Sequence, residues 1–229
     1  MKVVILAGGR GTRISEYTKF IPKPMIKIKN KPIIFHIMKH YSKFGFKEFI
    51  IAAGYKHEVI RNYFKNSSLD WRIQIINTGL NTMTGGRIKR LKKYLKDESF
   101  LLTYGDGLSN VDLKKLISYH KKKKAVVTLT AVRPPARFGA IEIKKGRVKT
   151  FREKSHVDTG WINGGFFVMN KKVFNYLKND QTFLERDPFT RLSNDRKLFA
   201  YKHKSFWQCM DNIRDKEILE RILKRKIYL

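Results

Sequence analysis

Residues 1–25 read MKVVILAGGRGTRISEYTKFIPKPM, and the fold turns on the first half of this stretch. An apolar run, Val3 to Ala7, leads without interruption into Gly8, Gly9, Arg10, Gly11, Thr12 and Arg13. A short apolar run stopped by glycine predicts a buried strand ending in a loop. Glycines allow positive φ and let backbone approach a ligand with no Cβ in the way. Successive N–H groups in such a loop form a concavity suited to anions. Arg13, and Lys23 within Pro22-Lys23-Pro24-Met25, add full positive charge beside it. The expected ligand is a nucleoside triphosphate. The loop is not a P-loop, because no Lys follows Gly11. Nor does it have the Gly-x-Gly-x-x-Gly spacing of a dinucleotide site.

Working outward, strand and helix alternate. Apolar residues recur at helical spacing over 33–44, after Pro32 and before Gly45. Strands are expected at 49–53, 72–76, 100–104 and 126–131, and helices at 57–64, 84–95 and 111–120. This order predicts an α/β fold, a Rossmann-like mixed, mainly parallel sheet with helices on both faces. Ligands of such sheets bind outside the carboxyl ends of the strands. The glycine loop and Asp106, in Gly105-Asp106-Gly107, both fall at such ends. The second half predicts a hairpin, 139–143 with 148–151, around Lys145-Gly146. A strand at 166–169 is expected after Asn163-Gly164-Gly165, then helices near 171–177 and 183–193 and a strand at 198–201. A terminal helix, 213–224, is expected to bury Ile213, Ile218, Leu219, Ile222 and Leu223. No repeat or linker interrupts the chain, so we expect one domain, with 1–135 a nucleotide-binding half and 136–229 a sugar-phosphate half.

A chain of 229 residues can bury roughly 70–75 % of its unfolded surface. Its one cysteine, Cys209, allows no internal disulfide, which favours a reducing compartment. No apolar run is long enough to span a bilayer, and the chain begins in a strand, unlike a signal peptide. A cytoplasmic protein without a membrane partner is expected. The net charge of +31, from 50 Lys+Arg against 19 Asp+Glu, raises nucleic-acid binding. The lysines are spread, however, with Lys121 to Lys124 the only long run, and no nucleic-acid motif is present. Attraction for anionic substrates is the preferred reading. The six histidines lack metal-ligand spacing, and no Ser-His-Asp triad is recognisable.

LAGGRGTR (6–13) together with PKPM (22–25) resembles the signature of the sugar-phosphate nucleotidyltransferases. These join a nucleoside monophosphate to a sugar 1-phosphate and release pyrophosphate. The later motifs are Thr78-Gly79, MTGGRIKR (83–90), YGDG (104–107), RFGA (137–140), Glu153-Lys154, INGGFF (162–167) and FWQ (206–208). In that order they are similar to the glucose-1-phosphate cytidylyltransferase branch, over nearly the whole length. The resemblance implies CTP and a sugar 1-phosphate as partners and Mg²⁺ as cofactor. It implies Arg13, Lys23 and Asp106 as catalytic residues and Asp106 and Asp211 as metal ligands. Nucleotide contacts would come from Leu6, Ala7, Gly8, Gly9, Gly11, Thr12, Arg13, Lys23, Thr84, Arg87, Tyr104, Gly105 and Asp106. Sugar-phosphate contacts would come from Gly139, Glu153, Lys154, Asn163, Gly164 and Trp207.

Taken alone, several of these residues allow a second reading. Asp106 could cap the next helix, since Gly-Asp-Gly is a good turn. Asp211 could cap the terminal helix. Arg87, near a helix start after two glycines, suits a phosphate or a solvated basic face. Asn163 and Gly164 could meet sugar hydroxyls or form a plain turn. Three departures from the family are visible. Ser155 follows Glu153-Lys154 where proline is usual, Cys209 stands at another usual proline, and the 65–75 connection is short. The last removes surface that the family uses between subunits, so a dimer or monomer is expected in place of a trimer. Rival readings are activation of another small phosphate or phosphonate, a non-catalytic nucleotide-sugar sensor, and a nucleic-acid-binding protein.

Overall fold

The computed structural model describes residues 1–65, 67–134, 139–152 and 160–224. In chain order these form β1 (Val3–Ala7), a 3-10 turn at Thr12–Ile14, α1 (Ser15–Thr18), a second turn at Lys23–Met25, and a small hairpin, β2 (Lys27–Ile28) and β3 (Lys31–Pro32). Next come α2 (Ile33–Lys43), β4 (Glu48–Ala53), α3 (His57–Lys65), β5 (Arg72–Asn77), α4 (Thr84–Arg90), β6 (Ser99–Tyr104), β7 (Gly107–Ser109), α5 (Leu113–Lys123) and β8 (Val127–Val132). The remainder is β9 (Ala140–Lys144), β10 (Arg147–Arg152), β11 (Ile162–Asn170), α6 (Asp187–Asn194), β12 (Leu198–Lys202), β13 (Trp207–Cys209) and α7 (Ile213–Lys224).

Seven strands make the central sheet, in the order β12-β8-β11-β6-β1-β4-β5. β1 lies parallel to β4 and β6, β4 to β5, and β8 to β12. β11 runs antiparallel to both its neighbours, β6 and β8. The sheet is therefore mixed and mainly parallel, as the alternation predicts. β1 shows why helices cover both faces. Val3, Ile5 and Ala7 join a core with Ile33, Ile37 and Tyr41 of α2 and Leu219 of α7. Val4 and Leu6 join another with Ile88 of α4 and Leu192 of α6. Each fully buried side chain of this kind stabilises the fold by about 1.5–3 kcal/mol. The chain winds outward from β1 to β4 and β5, then returns to β6 on the other side of β1. That reversal opens a crevice at the carboxyl ends of β1 and β6.

Several elements differ from expectation. The 84–95 helix ends at Arg90, and Lys92–Tyr94 is a separate 3-10 turn. Lys171–Tyr176 is a 3-10 helix, and the following α-helix starts only at Asp187, with Pro188 in its first turn. Asn163, Gly164 and Gly165 lie inside β11, where the register against β8 shifts between Asn163 and Phe167. Gly165 has φ +78°, which a side chain would strain, and a Cβ there would sit 2.6 Å from the Tyr104 ring. In α7, Leu219 is fully buried while Ile213 is exposed. His40 bonds the Val111 carbonyl at 3.0 Å and His120 bonds Thr128 Oγ1 at 2.9 Å. Burial pushes both imidazoles down to about 4, so they serve as neutral core groups. No helix among the described residues is long and apolar enough to cross a membrane.

Candidate active site

β1 and β6 end side by side. Leu6 pairs with Tyr104, and the Gly105 N–H donates to the Leu6 carbonyl at 3.0 Å. Leu6 and Ala7 are themselves buried strand residues, so only their backbone can meet a ligand. Gly9, Thr12 and Arg13 lie exposed along the loop, and Gly8 is buried behind it. The loop and Asp106 thus share one edge because two parallel strands hold them there.

Asp211 reaches the same edge by a different route. β13 pairs antiparallel with β7, Cys209 opposite Gly107, and the Met210 N–H donates to the Asp106 carbonyl at 2.9 Å. Lys23 closes the group. Its ammonium donates to Asp106 Oδ2 at 2.7 Å and to Asp211 Oδ1 at 2.8 Å. Arg13 Nη1 donates to Asp211 Oδ2 at 2.6 Å. Burial acts to lower the Lys23 pKa, but the charge and hydrogen bonds of the two carboxylates outweigh it and raise the net value. For Asp211, burial acts upward, and Lys23 and Arg13 overcome it to hold the carboxyl below its ordinary value. Neither aspartate caps a helix. Asp112 caps α5, accepting from the Lys115 N–H at 2.9 Å, and Asn212 accepts from the Asp215 N–H at 2.9 Å at the start of α7. Asp215, buried, accepts the Asp211 N–H at 2.9 Å and so holds that backbone from behind. The motifs did not reveal this role. The only trace in the sequence is an acid in the first turn of the terminal helix.

Two oxygens from separate elements on one small cation are the donor set that a hard divalent ion such as Mg²⁺ takes. Asp106 Oδ2 and Asp211 Oδ1 are no further apart than their two bonds to Lys23 allow. A small approach of the two oxygens would let both ligate one oxygen-coordinated ion, whose ligands lie about 2.1 Å from it. Cys209 is not suited to bind it as a thiolate, since burial pushes the thiol up to about 12.

Arg87 is placed differently from the sequence expectation. Its Nη1 donates to Thr78 Oγ1 and the Gly79 carbonyl, each at 2.7 Å, and its Nη2 to the Gly8 carbonyl at 2.9 Å. It is 4 % exposed. A Cβ on Gly8 would sit 2.1 Å from the guanidinium. The guanidinium thus backs the glycine loop and does not sit on an open phosphate face. The reason is that α4 packs beneath the β1 and β5 ends, so an Arg one turn into it reaches their carbonyls.

A cavity of about 270 Å³ lies beside the aspartates, lined among others by Arg13, Tyr104, Asp106, Asn163, Trp207 and Asp211. Trp207 Nε1 donates to the Gly164 carbonyl at 2.7 Å, which joins β13 to the β11 bulge. A larger cleft, about 860 Å³, runs along Trp161, Lys202 and Ile222 and shares Trp207. Asp106, Asp211 and Arg13 line the smaller one. Thr84 starts α4, where its hydroxyl donates to Glu185 at 2.7 Å. Gly139 precedes the β9–β10 hairpin and is not in the lining of the small cavity. Glu153 and Lys154, with Arg137 and Phe138, lie outside the described residues.

The model of the family described as "Nucleotidyl transferase" matches residues 2–209. The chain is 46 % identical to the glucose-1-phosphate cytidylyltransferase of Salmonella typhimurium, over 96 % of this chain and 95 % of that protein. It is 45 % identical to the probable glucose-1-phosphate cytidylyltransferase of Bacillus subtilis, over 94 % and 93 %. In structure it resembles HddC from Yersinia pseudotuberculosis, with a TM-score of 0.76 and 27 % identity over 97 % of this chain and 99 % of that one. A match that runs from β1 through β13, on a shared sheet, makes this chain a member of the nucleotidyl transferase family.

Proposed function

We propose that the protein transfers CMP from CTP to glucose 1-phosphate, giving CDP-glucose and pyrophosphate. The transferase reading rests on one observation, the meeting of Asp106 and Asp211 on a single cation beside the glycine loop. The choice of CTP and glucose 1-phosphate follows the cytidylyltransferase relatives.

In this reaction a phosphate oxygen of the sugar phosphate attacks the α-phosphorus of CTP, and the bond to pyrophosphate breaks. The nucleophile is already ionised at neutral pH, so no strong base is needed. The obstacle is repulsion between two anions, and positioning with charge stabilisation is the remedy. The loop N–H groups and exposed Arg13 would receive the triphosphate. Lys23 would bring its positive charge to the transferring phosphate. Asp106 and Asp211 would hold Mg²⁺, which supplies charge neutralisation at the phosphates when bound. Asn163, Gly164 and Trp207 would face the sugar, joined by Glu153 and Lys154. We read residues 1–135 as the nucleotide-binding part and 136–229 as the sugar-phosphate part of one domain. A reducing cytoplasm suits the single free cysteine.

The test is a panel of nucleoside triphosphates against sugar 1-phosphates, read by pyrophosphate release. CTP with glucose 1-phosphate should outrun UTP, dTTP and ATP. A faster turnover with another triphosphate removes the cytidylyl assignment and leaves the reaction class. In the short 65–75 connection, Trp71 packs on Phe35 and Phe49 of its own chain. We expect a dimer or monomer by light scattering, and a salt-resistant trimer would contradict that.

A further inference from the structure

Glu185, which no motif announces, is exposed just before α6 and bridges the start of α4 to the end of β6. Its carboxylate accepts from Thr84 Oγ1 at 2.7 Å and from Tyr104 Oη at 2.5 Å. Tyr104 Oη accepts in turn from Asn163 Nδ2 at 3.2 Å. Asn163 Oδ1 accepts from the Gly165 N–H at 2.9 Å, and Thr84 Oγ1 from the Leu184 N–H at 2.9 Å. The relay therefore joins α4, the segment before α6, the end of β6 and the β11 bulge.

Every link has one direction. A backbone N–H only donates, so Gly165 decides which atom of the Asn163 amide faces it. A carboxylate only accepts, so Glu185 takes the protons of both hydroxyls. The Tyr104 oxygen must then present a lone pair to Asn163. Burial, with the Glu185 charge second, pushes the Tyr104 phenol upward, so it remains a donor. The arrangement leaves the second Asn163 N–H and a lone pair of its Oδ1 for another partner. Asn163 and Tyr104 both line the small cavity beside Asp106.

We infer that Glu185 is a positioning residue for the sugar phosphate: by taking the Tyr104 proton it turns a phenol lone pair to Asn163 Nδ2, which together with the Gly165 N–H holds the Asn163 amide toward the sugar hydroxyls, and through Thr84 it ties that wall to the nucleotide wall. This rests on the transferase reading above and moves Tyr104 from the nucleotide to the sugar side. A neutral amide at 185 could not serve as well. It would offer one acceptor and turn its NH₂ toward the other hydroxyl, which frustrates one limb of the relay.

The experiment is steady-state kinetics of the full chain with CTP and glucose 1-phosphate. Glu185→Ala and Tyr104→Phe should each raise KM for the sugar phosphate on the order of tenfold, the effect of losing about one hydrogen bond's positioning. KM for CTP should change by less than about threefold, and Glu185→Gln should fall between wild type and Glu185→Ala. The double variant should be little worse than the worse single, because both cut one relay. Equal rises in both KM values, additive effects in the double variant, or a lowered melting temperature with unchanged KM would each overturn the assignment. Calorimetric binding of each substrate checks the same split without turnover. If the wild type uses a different sugar 1-phosphate, the substrate choice fails while the split, measured with that sugar, still decides the relay.

Discussion

Lys23 and Arg87 are two cations buried on either side of the same glycine loop, and they are accommodated in opposite ways. Lys23 is met by two carboxylates, Asp106 and Asp211. Arg87 is met by neutral acceptors, the carbonyls of Gly8 and Gly79 and the hydroxyl of Thr78. The ionisation balance follows. The Lys23 pKa ends up raised. Burial, then the nearby Arg90 charge, pulls Arg87 down to about 10, where it is still charged at neutral pH. A cation held by opposite charges leaves acidic partners that another cation can take over. A cation held by backbone carbonyls has no such partners to hand on, and what it stabilises is the loop. The first arrangement suits chemistry and the second suits architecture.

The sharpest way to break this comparison is through the carboxylates. Asp106→Asn and Asp211→Asn should each lose nearly all turnover, and the double variant should be little worse, as expected of residues acting as one unit. Folding should survive, because neither side chain caps a helix. Full activity in EDTA, or additive losses, would mean that the two do not share an ion.

Next in size is Lys23→Met. Removing this one charge should lower turnover on the order of 10²–10³-fold. Its cost in stability should be about 1–3 kcal/mol: taking one partner from a buried pair costs about 3–5 kcal/mol, and water at the quarter-exposed carboxylates screens part of that. Near-normal kinetics in a folded variant would reduce Lys23 to a surface-type ion pair.

Arg87→Met should reverse that balance. Several buried acceptors would lose their donor at once, and we expect a loss of about 3–5 kcal/mol, read from the urea midpoint. A stability loss smaller than that of Lys23→Met would remove the distinction between the two sites.

The smallest effect is in acid. The Asp211 carboxyl is held below its ordinary value, so its contribution is present above about pH 3.9 and is lost as the pH falls through the folded value. The stability gap between wild type and Lys23→Met should therefore hold steady from about pH 7 to about pH 3.9 and narrow only as the pH falls below that. The Arg87 gap should persist, since its acceptors do not titrate. Parallel behaviour of the two gaps would show that Lys23 is stabilised by something other than the carboxylates.

Much of the framework could be read locally. The apolar run stopped by Gly8, the alternation of strand and helix, and Asp106 at a strand end are patterns carried by neighbours in the chain. The hairpin at 140–152 was legible in the same way, with Lys145-Gly146 at its turn. The helix expected over 84–95 was not, because its length depends on what α4 packs against. Asn163-Gly164, which locally allows a plain turn, lies in a bulged strand, where β8 pairs with Asn163 and the Tyr104 ring leaves no room for a Cβ at Gly165, whose φ is +78°. Glu185 carried no signal at all, since each of its donors comes from a distant segment.

By itself the sequence determined the strand that ends in a glycine loop, the parallel α/β architecture and the kinds of charged group available. Those depend on periodicity, glycine and proline, which act over a few residues. Only the tertiary structure decided that Lys23 lies between Asp106 and Asp211, that Arg87 faces the loop's carbonyls, and that Tyr104 and Asn163 are joined through Glu185. Those depend on which strands lie side by side. The direction of a hydrogen bond across the sheet is a property of that packing and of no single segment.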